Sequence, residues 1–435
     1  MIRMLKYGEV PDSEIFARGA EASAPQVSAA VAEIINDVRQ NGDAALIKYE
    51  EKFDGVNLDR LEVTPEERKQ AAAAVGPEFM TLLERAAANI RHFHQQQVRG
   101  GFILAEEDGR VLGQRIIPLD RVGLYVPGGT AAYPSTVLMD AVPAKTAGCG
   151  TVVMVTPPRR DGTLNPAVLA AAGVAGVDRI FKLGGAQAVA ALAWGTESVP
   201  RVDKIVGPGN VYVAEAKRQV FGAVAIDMIA GPSEILIVAD GKSSARWLAA
   251  DLLSQAEHDK MASAVLVTDS AELAQAVSTE LEAQIPRLDR ADIARASIDN
   301  NGKIILVKDI AQALEISNAL APEHLELCVD EPFAWLGKVR HAGSVFLGRH
   351  CPEALGDYYA GPNHTLPTSG TARFSSPLSV DDFVKKSQYT YYTAEAMRRA
   401  APDVAAFARA EGLTAHAGSA LARMETTEAQ EGKTR

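Results

Sequence analysis

Between Gln26 and Tyr49 apolar residues recur at helical spacing (Val27, Val31, Ile34, Ile35, Val38), with a glycine turn at Asn41-Gly42. A second helix is predicted from Thr64-Pro65-Glu66-Glu67. Thr64 is the expected N-cap, Pro65 suits the first helical position, and Glu67 can close a capping box. It should run to about Val98 with a break at Gly76-Pro77, leaving His92 and His94 on a solvated face. From Arg121 the pattern changes. Short apolar runs (RVGLYV, TVVMVT, VDRIFKL, VDKIV, EILIVAD, ASAVLVTD, KIILVKD) alternate with helical stretches, which implies parallel sheets with right-handed crossovers. Two successive series, about 121–240 and 241–350, predict two sheets rather than one. Beyond Gly348 the chain is rich in Gly, Pro, Ser and Thr to about Leu378, as in a functional loop or a linker. Helices are expected from Ser379 to about Met424, ahead of a polar tail, EAQEGKTR.

Composition narrows the function classes. With 435 residues there is room for roughly two to four domains. The 47% hydrophobic and 23% charged fractions are those of an ordinary globular protein with large cores. A net charge of −11 argues against nucleic-acid binding. No run of about 18 apolar residues predicts a membrane span, and no signal-like core follows Met1, so a cytoplasmic protein is expected. Three cysteines (Cys149, Cys328, Cys351) without C-x-x-C spacing exclude a thiolate zinc cage.

Four segments carry polar groups in patterns that suit chemistry. Gln255 and His258 in LLSQAEHD are three apart on a predicted helix and can offer two ligands to one metal. A solvated helix end explains the same pattern. Pro322-Glu323-His324 reads as the first turn of a helix. It pairs a carboxylate with an imidazole, either as acid–base groups or as a capped surface helix. Asp357 and His364 lie in GDYYAGPNHTLPTSG, a loop whose turns can hold polar groups against a ligand. Glu411 and His416 flank Thr414, for which an N-cap role would suffice. No G-x-G-x-x-G follows a strand. Gly184-Gly185, Gly207-Pro208-Gly209-Asn210 and the turn Tyr125–Gly129 are tight strand-to-helix connections that leave a nonstandard nucleotide site open.

Taken in order, GLYVPGGTAAYPSTVLM, GGAQAVAALAWGTESVPRVDKIVGPGNVYV, IDMIAGPSEILIVAD, DLLSQAEHD, APEHLEL, AGSVFLG, GDYYAGPNHTLPTSG and LTAHAGSALAR closely resemble the histidinol dehydrogenase family, over about 120–424. The resemblance implies an α/β fold of two Rossmann-like parallel-sheet domains with smaller helical N- and C-terminal segments. The expected division is an N-terminal arm (1–25), a first α/β domain (26–125 and 235–377), a second Rossmann-like domain (126–234) and a helical C-terminal segment (378–435). It implies one zinc per subunit held by Gln255, His258, Asp357 and His416, a donor set that suits zinc without thiolates. Glu323 and His324 become the catalytic pair. Tyr125, Gln187 and Asn210 become NAD contacts. Ser233, His364 and Glu411, together with Gln255, His258, His324, Asp357 and His416, become substrate contacts. The implied reaction is the four-electron oxidation of L-histidinol to L-histidine through L-histidinal, with two NAD reduced. The implied assembly is a homodimer in which the segment carrying Glu411 and His416 crosses to the partner.

Three other readings compete. A zinc-bound water with Glu323 as base would make a hydrolase. A related dehydrogenase could oxidise another small alcohol, such as a sulfonated diol, although Glu411 would repel a sulfonate. A catalytic cysteine at Cys351 would suit aldehyde oxidation but has no place in the family pattern.

Overall fold

A computed structural model of the chain describes residues 1–17, 25–128 and 132–424. Part of the expected N-terminal arm, the Gly129 end of the turn after Tyr125, and the EAQEGKTR tail lie outside the described residues. The chain forms two compact units, one of Met1–Val98 with Leu119–Phe383, the other of Arg99–Pro118 with Val384–Arg435.

The alternating pattern becomes two parallel sheets in the first unit. One contains β4 (Arg121–Tyr125), β5 (Thr151–Thr156), β6 (Arg179–Lys182), β7 (Lys204–Val206) and β8 (Ala225–Ile226), in the order β6-β5-β4-β7-β8. The other contains β1 (Arg3–Lys6), β9 (Glu234–Ala239), β10 (Ser263–Thr268), β11 (Lys303–Leu306), β12 (His324–Cys328) and β13 (Ser344–Leu347), ordered β1-β11-β10-β9-β12-β13. Apart from β1 at its edge, the second sheet repeats the order of the first. Near-continuous apolar strands such as TVVMVT are buried because helices cover both faces. The strand order reverses between β4 and β7, and again between β9 and β12. Such reversals open a crevice beside the strand ends.

Both N-terminal helices form. Pro25–Asp54 is kinked at Gly42, where φ is 52°, and its apolar face joins the core of the five-stranded sheet. Pro65–Gln95 begins with the predicted capping box between Thr64 and Glu67. It packs on the opposite face of that sheet.

Three local readings change. His94 is not solvated but buried, its Nδ1 2.8 Å from the Gln97 Oε1. His92 is exposed as expected. Glu323 and His324 do not open a helix. The Ile310–Leu320 helix ends at Ala321 in a left-handed conformation (φ 48°), and Pro322 cannot continue it, so HLELC emerges as β12, buried throughout. The expected helix from Ser379 is a single 3-10 turn followed by β14 (Val384–Tyr392), whose valine, threonine and tyrosines suit a strand. In the second unit β14 pairs antiparallel with β3 (Arg110–Pro118), which also pairs with β2 (Phe102–Ala105). The helices Ala394–Ala410 and Thr414–Leu421 follow, with Thr414 as the first helical residue and not the cap.

A buried ion pair fixes the turn after β7. Lys217 pairs with Asp227, and both side chains are 2% exposed. The Lys217 Nζ also donates to the Gly207 carbonyl at 2.9 Å, and the Gly207 N–H donates to Asp227 at 2.8 Å. Gly207 has φ 108°, and a Cβ there would lie 2.2 Å from the Tyr125 carbonyl oxygen, so only glycine fits. Lys217→Met should destabilise the protein by about 3–5 kcal/mol, because Asp227 is left charged and unpaired in the core. The check is the urea midpoint. Adding Asp227→Leu should recover much of the loss, and a Lys217→Met midpoint equal to wild type would refute the role.

Candidate active site

The amino ends of β9 and β12 are neighbours, with His324 paired to Ile235 in register. That pairing sets the peptide of Glu234 against both members of the Glu323-His324 pair. The Glu234 N–H donates to the Glu323 Oε2 at 2.8 Å. The Glu234 carbonyl lies 3.0 Å from the His324 Nδ1. A carbonyl only accepts, so Nδ1 carries a proton, and in the neutral ring Nε2 is the nitrogen with the free lone pair. That Nε2 is buried and has no hydrogen-bond partner, with the Asp357 Oδ1 3.6 Å away. The Glu323 Oε2 lies 3.6 Å from the His324 Nδ1.

Charge and burial tune these groups in opposite directions. Burial is the main reason the Glu323 carboxyl is pushed up to about 7. Burial alone would lower His324, but the Glu323 and Asp357 carboxylates outweigh it and raise its pKa to about 10. Asp357 is buried too, which raises it, yet the facing His324 outweighs burial and holds it well below the usual carboxylate range. Burial lowers both His258 and His364, which favours neutral imidazoles.

A single cavity of about 920 Å³ is lined by Ser233, Gln255, His258, Glu323, His324, Asp357, His364 and Asn210. Gln255 closes the Ala245–Ala256 helix and His258 lies two residues beyond it, so the two share a helix end rather than a helix face. Gln255 is 1% exposed and its amide nitrogen has no partner. Asp357 belongs to the Glu353–Tyr358 helix, and its carbonyl lies 3.0 Å from the His364 Nδ1.

Most of the other expected residues fall elsewhere. Tyr125 and Gln187 do not line the cavity. The Tyr125 hydroxyl accepts from the Gly185 N–H at 3.1 Å, and the Gln187 side chain donates to Glu50 at 3.0 Å, a carboxylate that also accepts from the Gly184 N–H. Asn210 lines the cavity and caps the Val211–Val220 helix. Glu411 and His416 belong to the second unit and are exposed there. Cys149 and Cys328 are buried, and Cys351 does not line the cavity.

Sequence reasoning missed Glu353. It is buried, accepts from the Ser254 hydroxyl at 2.7 Å, and offers an oxygen within 4.8 Å of ligand atoms of His324 and Asp357. Its position four residues before Asp357 was the available signal, since such residues share a helix face. The contribution of the Glu234 peptide left no trace in side-chain chemistry.

Two similar parallel sheets, with one cavity that gathers a buried carboxylate–imidazole pair and further nitrogen and oxygen donors, define an α/β protein with the groups of an enzyme active site. The histidinol dehydrogenase family model matches residues 17–424. The histidinol dehydrogenase of Geobacillus kaustophilus is 55% identical over 411 residues, covering 94% of this chain and 97% of that protein. That of Syntrophotalea carbinolica is 56% identical over 431 residues, covering 98% and 100%. The crystal structure of histidinol dehydrogenase from Elizabethkingia anophelis is 37% identical with a TM-score of 0.92, covering 97% of this chain and 98% of that one. This chain belongs to the histidinol dehydrogenase family, a family of NAD-dependent oxidoreductases. Among the described residues no helix is long and apolar enough to cross a membrane.

Proposed function

We propose that this chain oxidises L-histidinol to L-histidine in two NAD-dependent steps at the cavity beside β9 and β12, in the cytoplasm and with one zinc per subunit. The donors fit that metal. Gln255 offers a neutral amide oxygen from a buried position in the cavity lining, burial keeps His258 neutral, and Asp357 supplies one negative charge. Zinc held there would anchor the amino alcohol and orient its carbinol, which is template catalysis. His416 of a second subunit would complete the ligand set.

The chain's own groups do the proton chemistry. His324 takes the alcohol proton at its bare Nε2 while a hydride leaves for NAD, giving the aldehyde. Glu323, poised near neutrality, takes a proton from the water that adds to that aldehyde. A second hydride then leaves the deprotonated hydrate for a second NAD and gives the acid, which loses its proton to solvent as the carboxylate. Tyr125, Gln187 and Asn210 surround the turns at the carboxyl ends of the five-stranded sheet, where doubly wound sheets bind dinucleotides. Ser233 and His364 face the substrate, and Glu411 from the partner subunit pairs with its polar end. Exposed Phe102, Ile103 and Leu104 on β2, with Phe407 in the same unit, supply apolar surface for a homodimer.

The observation that carries this reading is the Glu234 peptide, which orients both Glu323 and His324 and leaves the buried His324 Nε2 unpartnered in the lining of the cavity that the metal donors share. The test is NADH formed per L-histidinol consumed, with zinc-loaded protein and product analysis. Two NADH with histidine as product is expected. No NADH from histidinol, but turnover of another alcohol, would overturn the substrate assignment.

A further inference from the structure

His364 sits between two residues that the Pro134–Ala147 helix grips from one side. Asn363 donates from its amide to the Met139 carbonyl at 2.6 Å, and its own oxygen accepts from the Thr365 N–H at 2.8 Å. The Thr365 hydroxyl donates to the Asp140 Oδ1 at 2.9 Å. Consecutive helical residues thus clamp the backbone on both sides of the imidazole. Its ring is set by the third contact, Nδ1 to the Asp357 carbonyl.

Asp140 is an unusual residue for this place. It is 0% exposed in the middle of an apolar helix. Its Oδ2 has no partner and lies beside the Gly207 turn. Burying a carboxyl with only one hydrogen bond is costly, so packing alone does not account for it. Burial, followed by repulsion from Asp227, raises it to about 8, so near neutrality it is mostly the neutral acid.

We propose that Asp140 is a positioning residue for substrate recognition: through the Thr365 hydroxyl it fixes the backbone that carries His364, so that the His364 ring meets the imidazole of the amino alcohol in one orientation. The inference rests on the assignment of His364 as a substrate contact. Asp140 touches neither substrate nor metal donors. Its effect falls on KM for the amino alcohol and spares the dinucleotide.

The test combines single and paired variants in the zinc-loaded enzyme. Asp140→Leu and Thr365→Val should each raise KM for L-histidinol by about tenfold, because a recognition group misplaced by a fraction of an ångström loses much of its contact. KM for NAD and zinc content should stay within about twofold. Asp140→Asn, which keeps an acceptor for the Thr365 hydroxyl, should recover most of the loss. In a His364→Ala background Asp140→Leu should add nothing further, since residues acting through one group are not additive. An equal rise in both KM values, loss of zinc, or an undiminished Asp140→Leu effect in the His364→Ala background would overturn the proposal. If Asp140→Leu does not fold, Thr365→Val carries the test alone, because it removes only the hydroxyl. His364→Ala with an unchanged KM for histidinol would reject the substrate role of His364, and this inference with it. A raised KM for His364→Ala beside unaffected Asp140→Leu and Thr365→Val would reject the inference only.

Discussion

His324→Ala should retain zinc and lower kcat by about a hundred- to ten-thousandfold, the range expected when a positioned general base is removed. The side chain is not among the proposed metal donors, so metal content measured on the purified variant should match wild type. The loss follows from geometry. With Nδ1 engaged by the Glu234 carbonyl, Nε2 is the single basic nitrogen that the pair presents to the cavity, and it has no partner in the fold. The raised pKa of His324 reflects the Glu323 and Asp357 carboxylates around it. Once the Asp357 charge is committed to a cation, one of those attractions is lost, and the imidazole moves toward the neutral form that a base requires. The aldehyde half-reaction separates the two partners. Supplied with L-histidinal, His324→Ala should be less impaired than with L-histidinol, whereas Glu323→Gln should be impaired in the aldehyde step, where water must be activated. Full turnover of L-histidinol by zinc-replete His324→Ala would remove His324 from the mechanism.

How much of this was legible in the sequence depends on which physical signal each part leaves. Strand–helix alternation after Arg121 is a period-based signal, and two parallel sheets followed from it, but Glu234–Ala239, read with the first series, belongs to the second sheet, and β1 at its edge lay outside the pattern. The capping box at Thr64 is a local hydrogen-bonding pattern and formed as read. His94 misled because a lone histidine on a polar helix does not reveal that the neighbouring Gln97 and the distant Asn363 receive it. Pro322-Glu323-His324 misled because proline fits either a helix start or the end of the preceding one, and the left-handed Ala321 decides between them. Strands β2 and β3 left weak signals, and β14 was hidden in a run read as helix. The β14–β3 pairing joins residues about 270 apart in the chain, and no local pattern reports a partner at that range. Site residues were legible chiefly through the resemblance. Residue by residue, Gln255 with His258, or Glu323 with His324, could equally have been side chains that only face water. The buried supports, Glu353, Asp140 and the Glu234 peptide, escaped notice because their role is defined by what they touch.

His258→Ala should lose most of its zinc, and its activity should fall in proportion. The donors are prepared for a metal at neutral pH in complementary ways. Burial lowers His258, so its imidazole need not give up a proton before binding. Asp357 stays ionised despite burial, because His324 and His364 face it. The Gln255 amide is buried in the lining of the same cavity and can offer its oxygen without any change of charge. Removing one direct donor should weaken zinc by more than the roughly 10- to 100-fold typical of an outer-shell partner. Glu353→Gln supplies that comparison. It keeps an acceptor for Ser254 while removing a charge close to Asp357, so it should weaken the metal within the outer-shell range. The measurement is zinc per chain after dialysis against a graded chelator, beside circular dichroism to confirm the fold. Greater sensitivity of His258→Ala than of Glu353→Gln supports the assignment. The reverse order would shift the metal toward the His324, Glu353 and Asp357 group, and a zinc-free His258→Ala enzyme with full activity would end the case for a metal at this site.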